Sequence, residues 1–256
     1  MIKKYKSNYY NFPIEVENID WEILVKIFTK NKKEIIYSLY NLIDKTSYSP
    51  YIKNALLASF IWKIPKNILI LWFWAWSYAK YFEDYLWKKI NIIWVEIDEK
   101  MIEIAKNELK LKNISYLNMD YIKSLKILNQ KENLKFDIIF FDIYDKNSKI
   151  PKNFNDLENI KLIKNILDKN WKFIVNFANI NENKKFYKQI DEKIIKIFSK
   201  NKIEILNNKN DNGNIISVYN LEKKLNSKNI ILEYLDKIKQ WKINYDNNLI
   251  KNIFLK

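Results

Sequence analysis

The feature that most constrains this fold is a tryptophan-rich turn between an apolar strand and a helix. From residue 69 to 77 the chain reads L-I-L-W-F-W-A-W-S, and the next predicted strand ends in V-E-I-D. With glycine in place of tryptophan, this run becomes the glycine-rich turn of a nucleoside-binding βαβ unit. Such a turn needs glycine because its backbone approaches the ligand so closely that a Cβ atom would block it. The run therefore predicts an α/β fold.

Tryptophan also stands where glycine is expected elsewhere in the chain. Trp87 follows a predicted helix, as a C-terminal glycine cap would, and Trp171 lies in a turn that favours positive φ. The chain has nine tryptophans and one glycine, whereas typical chains contain about 7% glycine. We hypothesise that UGA codons, which some bacterial lineages read as glycine, encode these nine positions. The alternative is an aromatic-rich core, because regularly spaced aromatic residues usually pack together.

Composition excludes several kinds of chemistry. The chain has no cysteine and no histidine, so disulfides, thiolate metal sites and hydrolases that need either residue are ruled out. Acid–base chemistry therefore requires aspartate, glutamate, lysine or tyrosine, and we expect no metal site. The sequence shows neither a signal peptide nor an apolar run of about 18 residues. We expect a cytoplasmic protein without a membrane partner.

The strong positive charge does not by itself indicate a nucleic-acid partner. The formal net charge is +15, which would fit a polyanion. All 45 basic residues are lysine, however, and nucleic-acid sites commonly use arginine for bidentate contacts. The lysines are also spread along the chain, so a solvated surface is the interpretation we favour.

Strand and helix patterns alternate regularly over 66–222, which predicts one Rossmann-like domain. We expect an α/β sheet that is mostly parallel with an antiparallel last strand. We further expect a small N-terminal β and helix element over 1–65 and a helical tail over 223–256. The predicted strands are 68–71, 92–96, 114–118, 136–141, 172–177, 203–206 and 215–220.

Candidate cofactor-binding residues follow three successive predicted strands. Backbone at Trp72, Trp74 and Trp76, if glycine, would lie against an adenosyl ligand at the carboxyl edge of the sheet. Glu96 ends the second strand, where an acid can accept hydrogen bonds from both ribose hydroxyls in nicotinamide or S-adenosylmethionine sites. Asp120 follows the third strand and could accept the adenine amino group. Taken singly, either acid would more often be a helix cap or a solvated side chain.

A pair of aspartates, Asp142 and Asp145, follows the fourth strand. Carboxylates at this spacing could bind a cationic substrate, or deprotonate an amine as it attacks a sulfonium carbon. They could equally cap backbone donors in a turn, and the spacing leaves both readings open. We expect Tyr144, between them, to contact the substrate.

Residues 64–222 resemble the spermidine synthase branch of class I S-adenosylmethionine-dependent transferases. The resemblance rests on P-K-N-I-L-I-L-W-F-W-A-W-S, V-E-I-D-E-K-M-I-E-I-A-K, the two aspartates and L-D-K-N-W-K. It implies the Rossmann-like sheet of a class I methyltransferase fold. It also implies that the 72–76 loop binds an adenosyl ligand, that Glu96 holds the ribose of this ligand, and that Asp120 holds its adenine. It places Asp142 in the catalytic position.

The chain departs from this family where the polyamine would bind. The family loop G-G-G-D-G-G carries an aspartate for the amine tail of decarboxylated S-adenosylmethionine, and Ala75 stands there instead. A family Tyr-Gln-Glu run helps to hold the diamine; Tyr51 matches its first residue, whereas Ile52 and Lys53 do not match. A family proline after the second aspartate is replaced by Lys146. These changes indicate that the fold persists while the acceptor differs.

We therefore expect a transferase that uses S-adenosylmethionine to methylate a small-molecule acceptor. The second hypothesis is an aminopropyltransferase of polyamine biosynthesis, which would use decarboxylated S-adenosylmethionine and putrescine. The third is a non-catalytic adenosyl-binding protein. A nicotinamide oxidoreductase is disfavoured because its phosphate turn reads G-x-G-x-x-G, whereas tryptophan here repeats at every second residue. Assembly as a homodimer is left open.

Overall fold

The computed structural model contains two sheets. It describes residues 1–9, 12–28, 34–43, 46–47, 50–60, 64–71, 76–86, 90–144, 150–178, 180–198, 202–206, 214–219 and 253–254. One sheet has five strands and the other has eight.

The smaller sheet forms the predicted N-terminal β element, and its strands build an antiparallel meander. Its strands pair in chain order and are β1 Ile2–Lys6, β2 Pro13–Ile19, β3 Glu22–Phe28, β4 Glu34–Asn41 and β5 Thr46–Ser47. The hairpin between β2 and β3 has a two-residue turn, Asp20 and Trp21, because Ile19 pairs directly with Glu22. Asp20 adopts a positive φ of 49° and Trp21 is exposed.

The helix α1 Pro50–Phe60 leads from this meander to the alternating strands and helices of the larger sheet. These are β6 Asn67–Leu71, α2 Trp76–Leu86, β7 Asn91–Glu96, α3 Glu99–Asn107, β8 Ile114–Asn118, α4 Tyr121–Asn129, β9 Phe136–Phe141, α5 Leu157–Ile166, β10 Leu167–Phe177, α6 Ile180–Ile197, β11 Ile203–Leu206, β12 Ile215–Tyr219 and β13 Ile253–Phe254. A short 3-10 turn, Lys152–Asn155, precedes α5.

The larger sheet confirms the predicted fold class. Its order is β13-β11-β12-β10-β9-β6-β7-β8. The run from β10 to β8 is parallel, whereas β12 pairs antiparallel with β10, as do β11 with β12 and β13 with β11. The central strands β6 and β9 are almost wholly buried, which is typical of a parallel sheet covered by helices on both faces.

The tail predicted over 223–256 lies outside the described residues except for Ile253–Phe254, which form a strand. The strand predicted at 172–177 begins at Leu167, with an irregular register between Leu167 and Lys172. Trp171 therefore lies within β10, and the described positive-φ residues do not include it. The turn proposed before that strand is absent at this position.

Candidate functional site

The carboxyl ends of the parallel strands bring most of the predicted site residues to one edge of the sheet. Asp142 follows β9, and its N–H donates to the carbonyl of Leu71, the last residue of β6 (3.2 Å). Glu96 ends β7 and pairs with Asn118 of β8, two residues before Asp120. The chain leaves β6 towards β7 and later returns to place β9 on the other side of β6. Such a reversal of strand order is where open α/β sheets bind ligands.

Glu96 is an oriented acid inside the protein. Its side chain is fully buried, and Oε1 accepts a hydrogen bond from the N–H of Asp98 (2.7 Å). Asp98 caps α3, since its side chain accepts from the N–H of Lys100. The turn that begins α3 therefore holds one carboxylate oxygen of Glu96 in place, and an acid so held suits a ribose diol.

Asp120 is the N-cap of α4. Its Oδ1 accepts from the N–H groups of Ile122 (2.9 Å) and Lys123 (3.2 Å). This is the capping role that the sequence left open beside adenine binding. The carboxylate is only partly buried, so capping and a ligand contact through Oδ2 are compatible. The adenine contact stays a prediction.

The loop that carries the alternating tryptophans is described only at its end. Trp72 and Trp74, with Ala75, lie outside the described residues, as does Trp87. Trp76 begins α2 and is 1% exposed, and its ring centroid lies 6.2 Å from that of Tyr40 on β4. Its indole therefore packs in the core, and its predicted contact with a cofactor is untested.

Asp142 is the most unusual ionisable group at this edge. It is fully buried, and its Oδ1 accepts a hydrogen bond from Nδ2 of Asn176 (2.7 Å). Burial raises the pKa of Asp142 to about 8, although hydrogen bonds from Asn176 and Tyr51 favour its charged form and oppose the rise. A carboxyl group with such a pKa exchanges its proton near neutral pH and can serve as a general base there.

Two tyrosines surround this carboxyl group. Tyr51, at the start of α1, is a hydrogen-bond partner of Asp142; burial and then the nearby carboxylate raise the pKa of Tyr51 well above its ordinary value. The hydroxyl of Tyr144 donates to the carbonyl of Asn176 (2.5 Å) and accepts from the N–H of Ala178 (2.7 Å). Tyr51 thus contacts Asp142 directly, whereas Tyr144 links the residues after β9 to the end of β10. Asp145 lies outside the described residues.

Two residues on β10 were not predicted from the sequence. Asn176 holds Asp142, and its own Oδ1 is buried without a hydrogen-bond partner among the described residues. Lys172, four residues earlier on the same face of the strand, is buried and donates to the carbonyls of Ala58 (3.1 Å) and Ser59 (2.8 Å) near the end of α1. A lysine in an apolar strand was the one local signal available, because a buried lysine requires partners.

Comparisons with known proteins agree with this architecture. The spermine/spermidine synthase domain matches residues 86–229, more than half of the chain. A search of curated proteins found no match.

Similar solved structures share the fold. A probable spermidine synthase from Corynebacterium glutamicum has a TM-score of 0.71 and 15% identity, with 91% of this chain and 86% of that chain covered. A spermidine synthase in complex with the transition-state analogue AdoDATO has a TM-score of 0.63 and 12% identity, with 100% and 92% covered. Human methyltransferase-like protein 13 in complex with SAH has a TM-score of 0.62 and 19% identity, with 77% and 93% covered.

No helix among the described segments is long and apolar enough to cross a bilayer. The matched domain covers β7 to β12 and with them Glu96, Asp120 and Asp142, three of the acids predicted from sequence. The chain belongs to the spermine/spermidine synthase family of transferases.

Proposed function

We propose that this protein transfers a methyl group from S-adenosylmethionine to the nitrogen of a small amine. The observation that carries the proposal is Asp142, a fully buried carboxyl group whose pKa is raised to about 8. It lies at the same sheet edge as Glu96, with only β6 between their strands. This arrangement supports a reaction in which Glu96 binds the ribose of the methyl donor and Asp142 accepts a proton from the acceptor.

The acidic side chains at this edge of the sheet suit an adenosyl ligand. Glu96 would hold the ribose and Asp120 the adenine, with the backbone of the 72–76 loop beneath the ligand. The ligand supplies a carbon activated by its sulfonium group. The protein supplies position, which accounts for much of the rate when two reactants are held in line.

Asp142 would act on the acceptor. As the amine nitrogen forms its new bond to carbon, the carbon–sulfur bond breaks and its electron pair stays on sulfur. The nitrogen then carries an extra proton, which the carboxylate of Asp142 accepts. Tyr51 and Asn176 keep that carboxylate oriented, and the Oδ1 of Asn176 offers a second acceptor atom for an N–H group of the substrate.

The loop composition favours methyl transfer. Ala75 lacks the carboxylate that, by family resemblance, would bind the amine tail of the decarboxylated donor. Aminopropyl transfer to putrescine, in polyamine biosynthesis, is the second candidate. It is favoured by the contact between Tyr51 and Asp142, since the matching family tyrosine helps to hold the diamine.

Calorimetry with both donors separates these candidates. We expect tighter binding of S-adenosylmethionine than of its decarboxylated form, and tighter binding of the decarboxylated form would reverse the ranking. Incubation of each donor with a panel of small amines, followed by mass spectrometry, should detect products in which a methyl group has replaced one hydrogen of the amine.

Variants test the proposed base. D142N should bind the donor but lose at least 100-fold in turnover, in line with the contribution of a general base. D156N is the matched control, because Asp156 is an exposed cap of α5 that asparagine can replace. Full turnover by D142N would contradict the assignment of Asp142, and donor binding without any product would favour a non-catalytic protein.

A further inference from the structure

The strand β1 and Ser7, the residue that follows it, lie along the helix α3 and contact both of its ends. Lys3 donates to the two carboxylate oxygens of Glu108 (3.0 and 2.9 Å), and Tyr5 donates to Oε1 of Glu108 (2.5 Å). The hydroxyl of Ser7 donates to Oδ2 of Asp98. Asp98 and Glu108 are the N-cap and the C-cap of α3.

The dimensions of the two elements agree. Alternate residues of a strand face one side, so the side chains at 3, 5 and 7 all reach α3. The four residue steps from Lys3 to Ser7 span about 13 Å in an extended chain, and the ten residue steps from Asp98 to Glu108 span about 15 Å in a helix. The N-terminal strand therefore braces the helix from end to end.

The contact at Ser7 is the one that leads to the candidate site. Asp98 is fully buried, and its side chain accepts from Ser7, from the N–H of Lys100 (3.0 Å) and from the N–H of Asn8 (3.3 Å). The N–H of the same Asp98 donates to Oε1 of Glu96. One short chain of hydrogen bonds thus joins the N-terminal sheet to the predicted ribose acid.

We propose that Ser7 is a positioning residue for nucleoside binding, which acts through Asp98 on Glu96. The inference rests on the proposed function, because it takes Glu96 as the ribose ligand. Without the hydroxyl group, a buried oxygen of Asp98 loses its donor, and a carboxylate in that state rotates or takes up water. Its backbone N–H then no longer holds Oε1 of Glu96 in one direction.

Calorimetry with S-adenosylhomocysteine tests this role, in whichever of the tryptophan and glycine forms of the chain binds the probe. S7A should raise Kd about tenfold. Y5F is the matched control, because it removes a hydrogen bond between the same strand and the other end of the same helix. We expect Y5F to lower the unfolding midpoint about as much as S7A while changing Kd less than twofold.

A double-mutant cycle shows whether the effect passes through Glu96. In the E96A background, S7A should change Kd less than twofold, because the residue that Ser7 positions is absent. A tenfold effect that persists in E96A would overturn the proposal. An equal loss of affinity in Y5F and S7A would also overturn it, since it would indicate general destabilisation.

Hydrogen exchange supplies a test that needs no ligand. S7A should speed exchange of the Asp98 amide at least tenfold while the amides near Glu108 keep their rates, and unchanged exchange at Asp98 would overturn the positioning role. If neither chain form binds an adenosyl ligand, the proposed function fails. The exchange rate of Asp98 then still decides whether Ser7 positions this turn.

Discussion

At the scale of single residues, the buried carboxyl group of Asp142 is the centre of the site. Asn176 reaches it from 34 residues further along the chain and Tyr51 from the helix before the sheet. Hydrogen bonds to the charged form lower its pKa, but desolvation outweighs them. The carboxyl group of Asp142 therefore gains and loses its proton near neutral pH.

This balance predicts how stability depends on pH. Burial raises the pKa of Asp142 from an ordinary 3.8 to about 8, so the folded protein binds this proton more tightly than the unfolded chain does. The stabilisation is complete below pH 4 and is lost as the pH rises through about 8, at up to about 1.4 kcal/mol per pH unit. In urea unfolding, D142N should lack this loss of stability with rising pH. Parallel pH profiles of the free energy of unfolding in the two proteins would contradict the raised pKa.

At the scale of elements, the helix α4 starts at a residue with two candidate roles. Asp120 caps α4 through two backbone N–H groups, and the same carboxylate lies beside the predicted adenine site. The two roles place different demands on the side chain. Capping needs only a short oxygen acceptor, whereas the ligand contact needs the longer reach of a carboxylate.

Two substitutions separate these roles. D120A should destabilise the protein by about 1 kcal/mol through loss of the cap and should also weaken binding of S-adenosylhomocysteine. D120S keeps a good cap, so its unfolding midpoint should stay near that of the wild type while its affinity for the nucleoside falls several-fold. Unfolding and calorimetry on the same samples give both values, and full affinity in D120S would leave Asp120 with the capping role alone.

The strands were the most predictable elements. Residues 114–118, 136–141 and 203–206 were predicted with the observed bounds, because short runs of apolar or alternating residues are typical of strands. The helix α4 was missed, although Asp120 was noted as an acid after a strand. Asp120 was considered both as a ligand contact and as a helix cap, but the nine-residue helix that begins at Tyr121 was not predicted.

The residues that contact and surround Asp142 could not be predicted from the sequence. Asp142 was found because it follows an apolar strand within a recognisable motif. Asn176 and Lys172 depend on contacts with β9 and with the end of α1, which are distant in sequence. No local periodicity indicates such contacts, since they arise only when the strands pair in their final order.

At the scale of the whole molecule, the tryptophans give mixed indications. The two-residue hairpin at Asp20 and Trp21 has the length for which Asp-Gly is strongly favoured, and Asp20 already adopts a positive φ. The indole nitrogen of buried Trp76 has no hydrogen-bond partner among the described residues. Trp94, by contrast, packs against Tyr116 with ring centroids 5.6 Å apart, as the aromatic-core alternative requires.

Ligand binding by two versions of the chain tests the recoding hypothesis. Indoles at 72 and 74 would add bulk to a turn predicted to lie against a ligand, and overpacking costs about 1–3 kcal/mol per site. Protein with glycine at all nine positions should bind S-adenosylmethionine, and the tryptophan form should bind it at least 100-fold more weakly. Mass spectrometry of the native protein should find glycine there. Equal affinities, or UGG codons in the gene, would show that the tryptophans are real.

The order of strands also separates the residues proposed to hold the donor from most of those proposed to meet the acceptor. Everything proposed to hold the donor comes from β6, β7 and β8 and the turns after them, which form one continuous stretch of sequence. Everything proposed to meet the acceptor on the sheet comes from β9 and β10, a later continuous stretch on the other side of β6. Donor and acceptor specificity therefore depend largely on different stretches of the chain, although Tyr51 of α1, which contacts Asp142, precedes both stretches. A fold of this kind can keep one activated donor while its acceptors diversify.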